Sequence, residues 1–278
     1  MTYHRPASLE QALVLCAVPG IRILAGGTDI LPASPGRDLT GDILDITNVS
    51  VLSGINKTPK GWRIGATVRW ADLMKTDLPP AFDALKAAAA EVGSPQIQTT
   101  ASIAGNLCNA SPAADGVPPL LILDAVVEIT SAYQTRMVPL NEFLKDVRKT
   151  VLEQGEIVTA IHVPNSAAKG TSAFLKLGAR KYLVISIAMV AVRLEIDKGK
   201  ISNAAVAVGA CSPTAKRLLK FEAALLQKSP HSPDDWQAEL KADIAETLDP
   251  IDDMRADASY RTLAVVELVT QAIELAAS

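Results

Sequence analysis

The sequence predicts a mixed α and β fold in two parts, an α/β part closing near Pro164 and an α+β unit after it. Three observations carry this. Short apolar runs, several ending in glycine, alternate with helix-period segments up to Pro164. Past a small, polar and basic stretch at residues 165–170, longer strand-like runs meet across a tight Lys198-Gly199-Lys200 turn. A final helical segment, residues 261–276, then supplies an apolar face. With 278 residues the chain can bury ample core and divides most naturally into two domains.

Taken in order, residues 8–14 have helical spacing with Ser8 as the N-cap, and residues 21–25 read as a strand. Residues 41–46 read as a second strand with Asp45 near its end. Residues 62–64 lead into Gly65-Ala66-Thr67 and a short helix near 70–74, and residues 81–91 form an alanine-rich helix. Residues 120–129 start like a helix and finish like a strand. Residues 157–163 are strand-like, which makes His162 a structural residue. After the linker at 165–170, strands are expected at 173–177, 185–196 and 204–208, and a helix at 218–227. A polar stretch follows at 228–235. In the last helix Leu263, Val266, Leu268 and Ala272 fall roughly on one face, which is expected to dock on the sheet.

Composition excludes several classes. Hydrophobic residues make up 49% and the net charge is −3, with no basic patch interleaved with aromatics, which argues against nucleic acid as a partner. The longest apolar run, residues 183–192, is broken by Ser186 and is too short for a membrane span. The opening Met-Thr-Tyr-His-Arg-Pro carries Glu10 before any apolar block, so no signal peptide and a cytoplasmic location are expected. Cys16, Cys108 and Cys211 are isolated and lack Cys-x-x-Cys spacing, which disfavours disulfides and an iron–sulfur cluster held by this chain. His4, His162 and His231 lie in unrelated contexts. No metal site and no catalytic acid, base or nucleophile can be nominated, so any chemistry must come from a bound cofactor.

Two segments suggest where it binds. Residues 21–32 run from an apolar strand into Ala25-Gly26-Gly27-Thr28-Asp29. Glycines there let a ligand approach the main chain, and free amides in a concave turn suit a phosphate or pyrophosphate. The turn matches neither common phosphate fingerprint, and a strand ending in two glycines is more often only a turn. Residues 100–115 are dense in small, hydroxyl and amide side chains, with Ile103, Ala104, Leu107 and Ala110 interleaved. That mixture fits a half-buried loop around a polar ligand better than a surface loop with Asx and Ser turns.

Together, Ala25-Gly26-Gly27-Thr28-Asp29-Ile30 and Ser102-Ile103-Ala104-Gly105-Asn106, with Ser111-Pro112 and Asp115, resemble the FAD-binding (medium) subunit of the molybdenum hydroxylases, of xanthine dehydrogenase and carbon monoxide dehydrogenase type. Phe174-Leu-Lys176-Leu-Gly-Ala-Arg180, Val208-Gly-Ala-Cys-Ser-Pro213 and Asp253-Met-Arg255-Ala-Asp-Ala-Ser-Tyr-Arg261 extend the resemblance to the C-terminal domain. It implies an α+β fold: a vanillyl-alcohol-oxidase-type FAD domain over residues 1–165, of two α/β subdomains (about 1–58 and 59–165). A small C-terminal α+β domain like that of the carbon monoxide dehydrogenase flavoprotein would follow over 171–278. Non-covalent FAD would lie extended between the subdomains. Ile23, Leu24, Ala25, Gly26, Gly27, Thr28, Asp29 and Ile30 would hold the pyrophosphate, and Ser102, Ile103, Ala104, Gly105 and Asn106 would line the other side. Asp115 would accept from ribityl or ribose hydroxyls, and Lys176 would sit beside the ring system, where a fixed cation stabilises the anionic reduced form. Gly93 and Val158 would supply packing contacts, and Tyr182 would shield or stack on the flavin edge.

Departures from the family pattern are Ala104 in place of the first glycine of Gly-Gly-Asn and an apolar Lys181-Tyr182-Leu183-Val184 loop. The four-cysteine insertion of some relatives is absent, and no histidine stands in the Ala25–Asp29 turn for a covalent flavin link. By the resemblance, a 2Fe–2S ferredoxin-like small subunit would pass electrons from a molybdopterin-binding large subunit to the flavin, and NAD or another acceptor would take them. A stand-alone FAD oxidase of the same wider fold and a flavin-free scaffold subunit are the alternatives. Valine at Gly26 or Gly27 is expected to occupy the phosphate's approach and abolish FAD retention.

Overall fold

The structure, a computed structural model, describes residues 2–33 and 41–278. Met1 and residues 34–40 fall within the first expected domain and lie outside the described residues.

A short strand β1 (Tyr3–His4) precedes α1 (Leu9–Cys16), whose first turn is capped as expected: the Gln11 amide donates to Ser8 Oγ at 3.3 Å. Strands β2 (Arg22–Leu24) and β3 (Ile43–Asp45) pair in parallel, with β1 on the far edge of β3. Ala12, Leu13 and Cys16 of α1 share a small core with Leu44, Ile46 and Leu52.

The chain then forms β4 (Ile55–Thr58), β5 (Gly61–Gly65), α2 (Trp70–Lys75), α3 (Asp83–Glu91), α4 (Pro95–Gln98), α5 (Ile103–Asn109) and α6 (Val117–Ile122). After these come β6 (Val126–Thr130), β7 (Thr135–Pro139), α7 (Leu140–Phe143), β8 (Leu144–Asp146), β9 (Lys149–Thr150) and β10 (Ile157–Pro164). A five-stranded sheet results, in the order β4-β5-β10-β6-β7 and antiparallel throughout. Two of its connections are hairpins, which only antiparallel pairing permits. His162 on β10 is structural: its Nε2 lies 2.8 Å from Glu128 Oε2 on the neighbouring strand.

The last part contains β11 (Thr171–Leu177), β12 (Ala188–Asp197), β13 (Lys200–Gly209), β14 (Lys216–Arg217), α8 (Leu219–Leu225), α9 (Gln237–Thr247) and α10 (Ala258–Ala277). The strands lie in that order in an antiparallel sheet. Lys198 (φ +50°) and Gly199 (φ +76°) are both left-handed, the geometry that closes a two-residue hairpin. Both faces of this sheet are covered, which is why β12 is apolar without alternation. Ala188, Val190, Val192 and Leu194 pack with Phe221, Val265, Val269 and Ile273 of the C-terminal helices. Met189 and Ala191, on the opposite face, join the core that contains α3 and α6. Polar ties reinforce that second contact: Arg193 Nε donates to the Ile122 carbonyl at 2.8 Å, and the Ala84 amide to Ser172 Oγ at 2.9 Å. Among the described residues no helix is long and apolar enough to cross a membrane.

Three expectations need correction. Residues 100–115 are not one loop, because α5 occupies their middle. Ser102 caps it, accepting from Gly105 N at 3.1 Å, while Ile103, Ala104 and Leu107 face the core. Glycine, asparagine and cysteine, all weak helix formers, hid it. In α10 the buried face is Arg261, Val265, Val269, Ala272, Ile273 and Ala276, whereas Leu263 is 71% exposed. Ala272 is buried as expected and Val266 and Leu268 pack at the border of that face, so apolar spacing placed the face slightly off, with an arginine heading the buried stripe. Helix α9 escaped notice because only Leu240 and Ile244 mark its apolar side, with the buried Asp243 between them accepting from Phe221 N at 2.8 Å.

Candidate cofactor cavity

A cavity of about 870 Å³ opens between the turn after β2, helix α5, the β8–β9 hairpin, the end of β11 and residues 183–185. Ligand clefts commonly measure roughly 300–1,000 Å³. One wall is the turn at residues 25–30. None of the amides of Ala25, Gly26, Gly27, Thr28 and Asp29 donates to an acceptor among the described residues. Unpaired amides clustered on a concave surface favour an anion.

The two glycines of this turn do different work. Gly27 has φ +71°, a conformation that costs other residues about 1–2 kcal/mol. Gly26 is needed for space: an ideal Cβ there would lie 2.2 Å from the Thr100 carbonyl oxygen and 2.8 Å from Ala101 Cα. The close approach it permits is therefore that of the opposite protein wall, which corrects the expectation that a side chain at Gly26 would first meet the phosphate.

Polar chains tie the walls together. Asn109 Nδ2 donates to Asp29 Oδ1 at 2.7 Å, and the Arg148 guanidinium donates to Asn109 Oδ1 and, at 3.3 Å, to its carbonyl. Arg148 itself sits at φ +58° between β8 and β9, with its amide on the Ala110 carbonyl at 2.8 Å. At another edge Lys176 Nζ lies 2.6 Å from Asp115 Oδ2, and Ser186 Oγ donates to Asp115 Oδ1 at 2.6 Å. The lysine and aspartate side chains are 7% and 9% exposed. Burial pushes the Asp115 carboxyl above the ordinary range, and the Lys176 ammonium and Ser186 hydroxyl pull it partly back. Asp115 and Lys176, expected to act separately, are thus committed to each other.

The cavity brings together Ile23, Ala25, Gly26, Gly27, Thr28, Asp29, Ile30, Gly93, Ser102, Ala104, Gly105, Asn106, Asp115, Val158 and Lys176. It leaves out three of the residues the resemblance implied. Leu24 is a β2 residue whose side chain lies toward Gly27, Ile103 is fully buried in the core, and Tyr182 is 59% exposed outside the lining, with Lys181 Nζ 5.2 Å from its ring centre. The neighbouring Leu183, Val184 and Ile185 line the cavity in its place. Sequence reasoning missed Trp70, Cys108, Asn109, Arg148 and Leu152 on the lining. Only Asn109 carried a local signal, being one more amide in the small polar segment.

Comparison with known proteins sets the class. The family model of the FAD binding domain in molybdopterin dehydrogenase matches residues 1–166, and that of the CO dehydrogenase flavoprotein C-terminal domain matches residues 173–276. The chain belongs to the FAD-binding subunits of the molybdenum hydroxylase family, the molybdopterin-dependent dehydrogenases. It is 32% identical to the xanthine dehydrogenase FAD-binding subunit of Escherichia coli O157:H7 over 277 residues, covering 98% of this chain and 94% of that one. To the carbon monoxide dehydrogenase medium chain of Hydrogenophaga pseudoflava it is 29% identical over 279 residues, covering 99% and 96%. The structure of that organism's carbon monoxide dehydrogenase lacking the Mo-pyranopterin moiety superimposes with a TM-score of 0.89 at 28% identity, covering 99% of this chain and 96% of that one. The protein is therefore an FAD-dependent oxidoreductase subunit.

Proposed function

We propose that this chain is the electron-relay subunit of a heteromeric molybdenum hydroxylase. It would take electrons from a 2Fe–2S ferredoxin-like small subunit, which receives them from a molybdopterin-binding large subunit, and deliver them to NAD or another acceptor. The observation that carries the reading is the row of free amides at residues 25–29, residues that line the same cavity as the buried Asp115–Lys176 pair.

The residues suit FAD. The amides of Ala25, Gly26, Gly27, Thr28 and Asp29 would donate to the pyrophosphate, with Ser102, Ala104, Gly105 and Asn106 across the cofactor from them. Gly93 and Val158 would pack against it. Asp115 would hold the Lys176 ammonium in a fixed place beside the ring system, and Ser186 would hold Asp115. FAD, when bound, supplies the step between paired and single electrons. The chain supplies binding, orientation and a dry, charged edge. Residues 1–165 and 171–278 are proposed as its two domains, and the cytoplasm as its location.

Purification of the complex from its native source, followed by flavin and metal analysis, tests this. FAD should be found with iron and molybdenum carried by separate copurifying chains. A chain that purifies alone and colourless would overturn the proposal. Anaerobic addition of NADH then tests the acceptor: bleaching of the flavin bands supports NAD, and an unchanged spectrum excludes it.

A further inference from the structure

Among the described residues, four side chains of the kind that carry charge line the cavity: Asp29, Asp115, Arg148 and Lys176. Asp115 and Lys176 are buried and paired, so their charges offset each other. Asp29 belongs to the turn whose free amides suit an anion, and a carboxylate there opposes that anion. Arg148 is left as the cation that can answer both.

The guanidinium is tied to that turn. Its Nη1 donates to Asn109 Oδ1 and, at 3.3 Å, to the Asn109 carbonyl, while Asn109 Nδ2 donates to Asp29 Oδ1 at 2.7 Å. One amide group therefore stands between the guanidinium and the Asp29 carboxylate. Nε and Nη2 of Arg148 meet no acceptor among the described residues. The residue is exposed and on the cavity lining, so a ligand in the cavity can reach those donors. Its backbone is informative as well. Arg148 has φ +58° between β8 and β9, fixed by its amide on the Ala110 carbonyl at 2.8 Å. Glycine suits such a left-handed position best, and the hairpin geometry alone does not call for an arginine there.

We infer that Arg148 is a further cofactor-binding residue, whose Nε and Nη2 donate to the pyrophosphate held by the amides of residues 25–29. Those two groups form a planar fork that matches two phosphate oxygens. Nη1, acting through Asn109, keeps the Asp29 carboxylate on a donor of its own beside the anion. The inference rests on the reading of the cavity as an FAD site.

The test is a fluorescence titration of the deflavinated chain with FAD at low and high salt. Arg148→Gly suits the left-handed backbone and removes the charge, and Arg148→Gln keeps a donor for Asn109 without the charge. At low salt both should bind FAD about ten- to hundredfold more weakly than wild type, the worth of hydrogen bonds to a charged group. The gap should narrow as salt rises, because ions screen the contact made by an exposed guanidinium. Wild-type affinity in either variant overturns the inference and leaves the FAD reading intact, because wild type still binds. A gap that ignores salt assigns Arg148 a packing role and also overturns it. No FAD binding by wild type sinks the function and the inference together. If neither variant folds, the Nε proton of wild-type Arg148 decides by its solvent exchange: FAD must slow it, and unchanged exchange overturns the inference.

Discussion

Replacing Gly26 with alanine would place a methyl group inside the backbone of the facing wall. The ideal Cβ stands 2.2 Å from the Thr100 carbonyl oxygen and 2.8 Å from Ala101 Cα. Carbon–oxygen contacts normally begin near about 3.3 Å, so the two walls must part by roughly 1 Å. Neither obstacle is the end of a flexible side chain, so the strain cannot relax by a rotamer change. Overpacking of this kind costs about 1–3 kcal/mol, or roughly 5 °C in melting temperature for a chain of this size. A 1 Å shift of the amides at residues 25–29 also spoils several hydrogen bonds to an anion at once, so FAD affinity should fall about ten- to hundredfold. The assay is a thermal melt of the flavin-free variant beside a flavin titration. A flavin-free melting temperature within about 1 °C of wild type would refute the argument, for then Gly26 serves the ligand and not the packing of the walls.

Lys176→Met leaves the Asp115 carboxyl buried without its cation and should cost about 3–5 kcal/mol in denaturant unfolding, with Asp115→Asn added to it recovering part of the loss. The Arg136 guanidinium holds Glu156 below the ordinary carboxylate range through contacts at 2.8 and 2.7 Å. A depressed folded pKa stabilises above the unfolded value of about 4.3 and is lost on acidification. The gap in stability between wild type and Glu156→Gln should therefore close as pH falls through that range, and a gap independent of pH would contradict it. Arg261 reaches the Ile187 and Ala210 carbonyls and Asp253 from a buried position, a span that one ammonium cannot cover. Arg261→Lys should consequently destabilise by about 2 kcal/mol or more, measured by thermal melting, with no rescue by conserved charge.

The sequence made the layers legible where local chemistry and burial agreed. Ser8 marks the start of α1, the alanine-rich run marks α3, and Lys198-Gly199 marks the hairpin, each through a rule that acts over a few residues. Both halves of the cavity were also legible, because glycines and small polar residues between apolar runs are costly without a purpose. What stayed hidden depends on contacts between distant segments. Gly26 and Thr100 meet only in three dimensions, and so do Arg148 and Asn109. The place of Arg261 at the head of the buried face of α10 has the same origin: it is buried because the Ala210 carbonyl and Asp253 await it.

The Asp115–Lys176–Ser186 contact also sets an order of events during synthesis. Asp115 leaves the ribosome 61 residues before Lys176 and 71 before Ser186. Until both emerge, a carboxylate that the folded protein buries has neither its cation nor its hydroxyl donor, and residues 183–185, which form part of the cavity wall, do not yet exist. A nascent chain halted near residue 165 would expose an open trough with a charged, hydrated edge. On the proposed assignment of the cavity to FAD, cofactor capture would wait on the C-terminal sheet, and products truncated near residue 165 would be colourless.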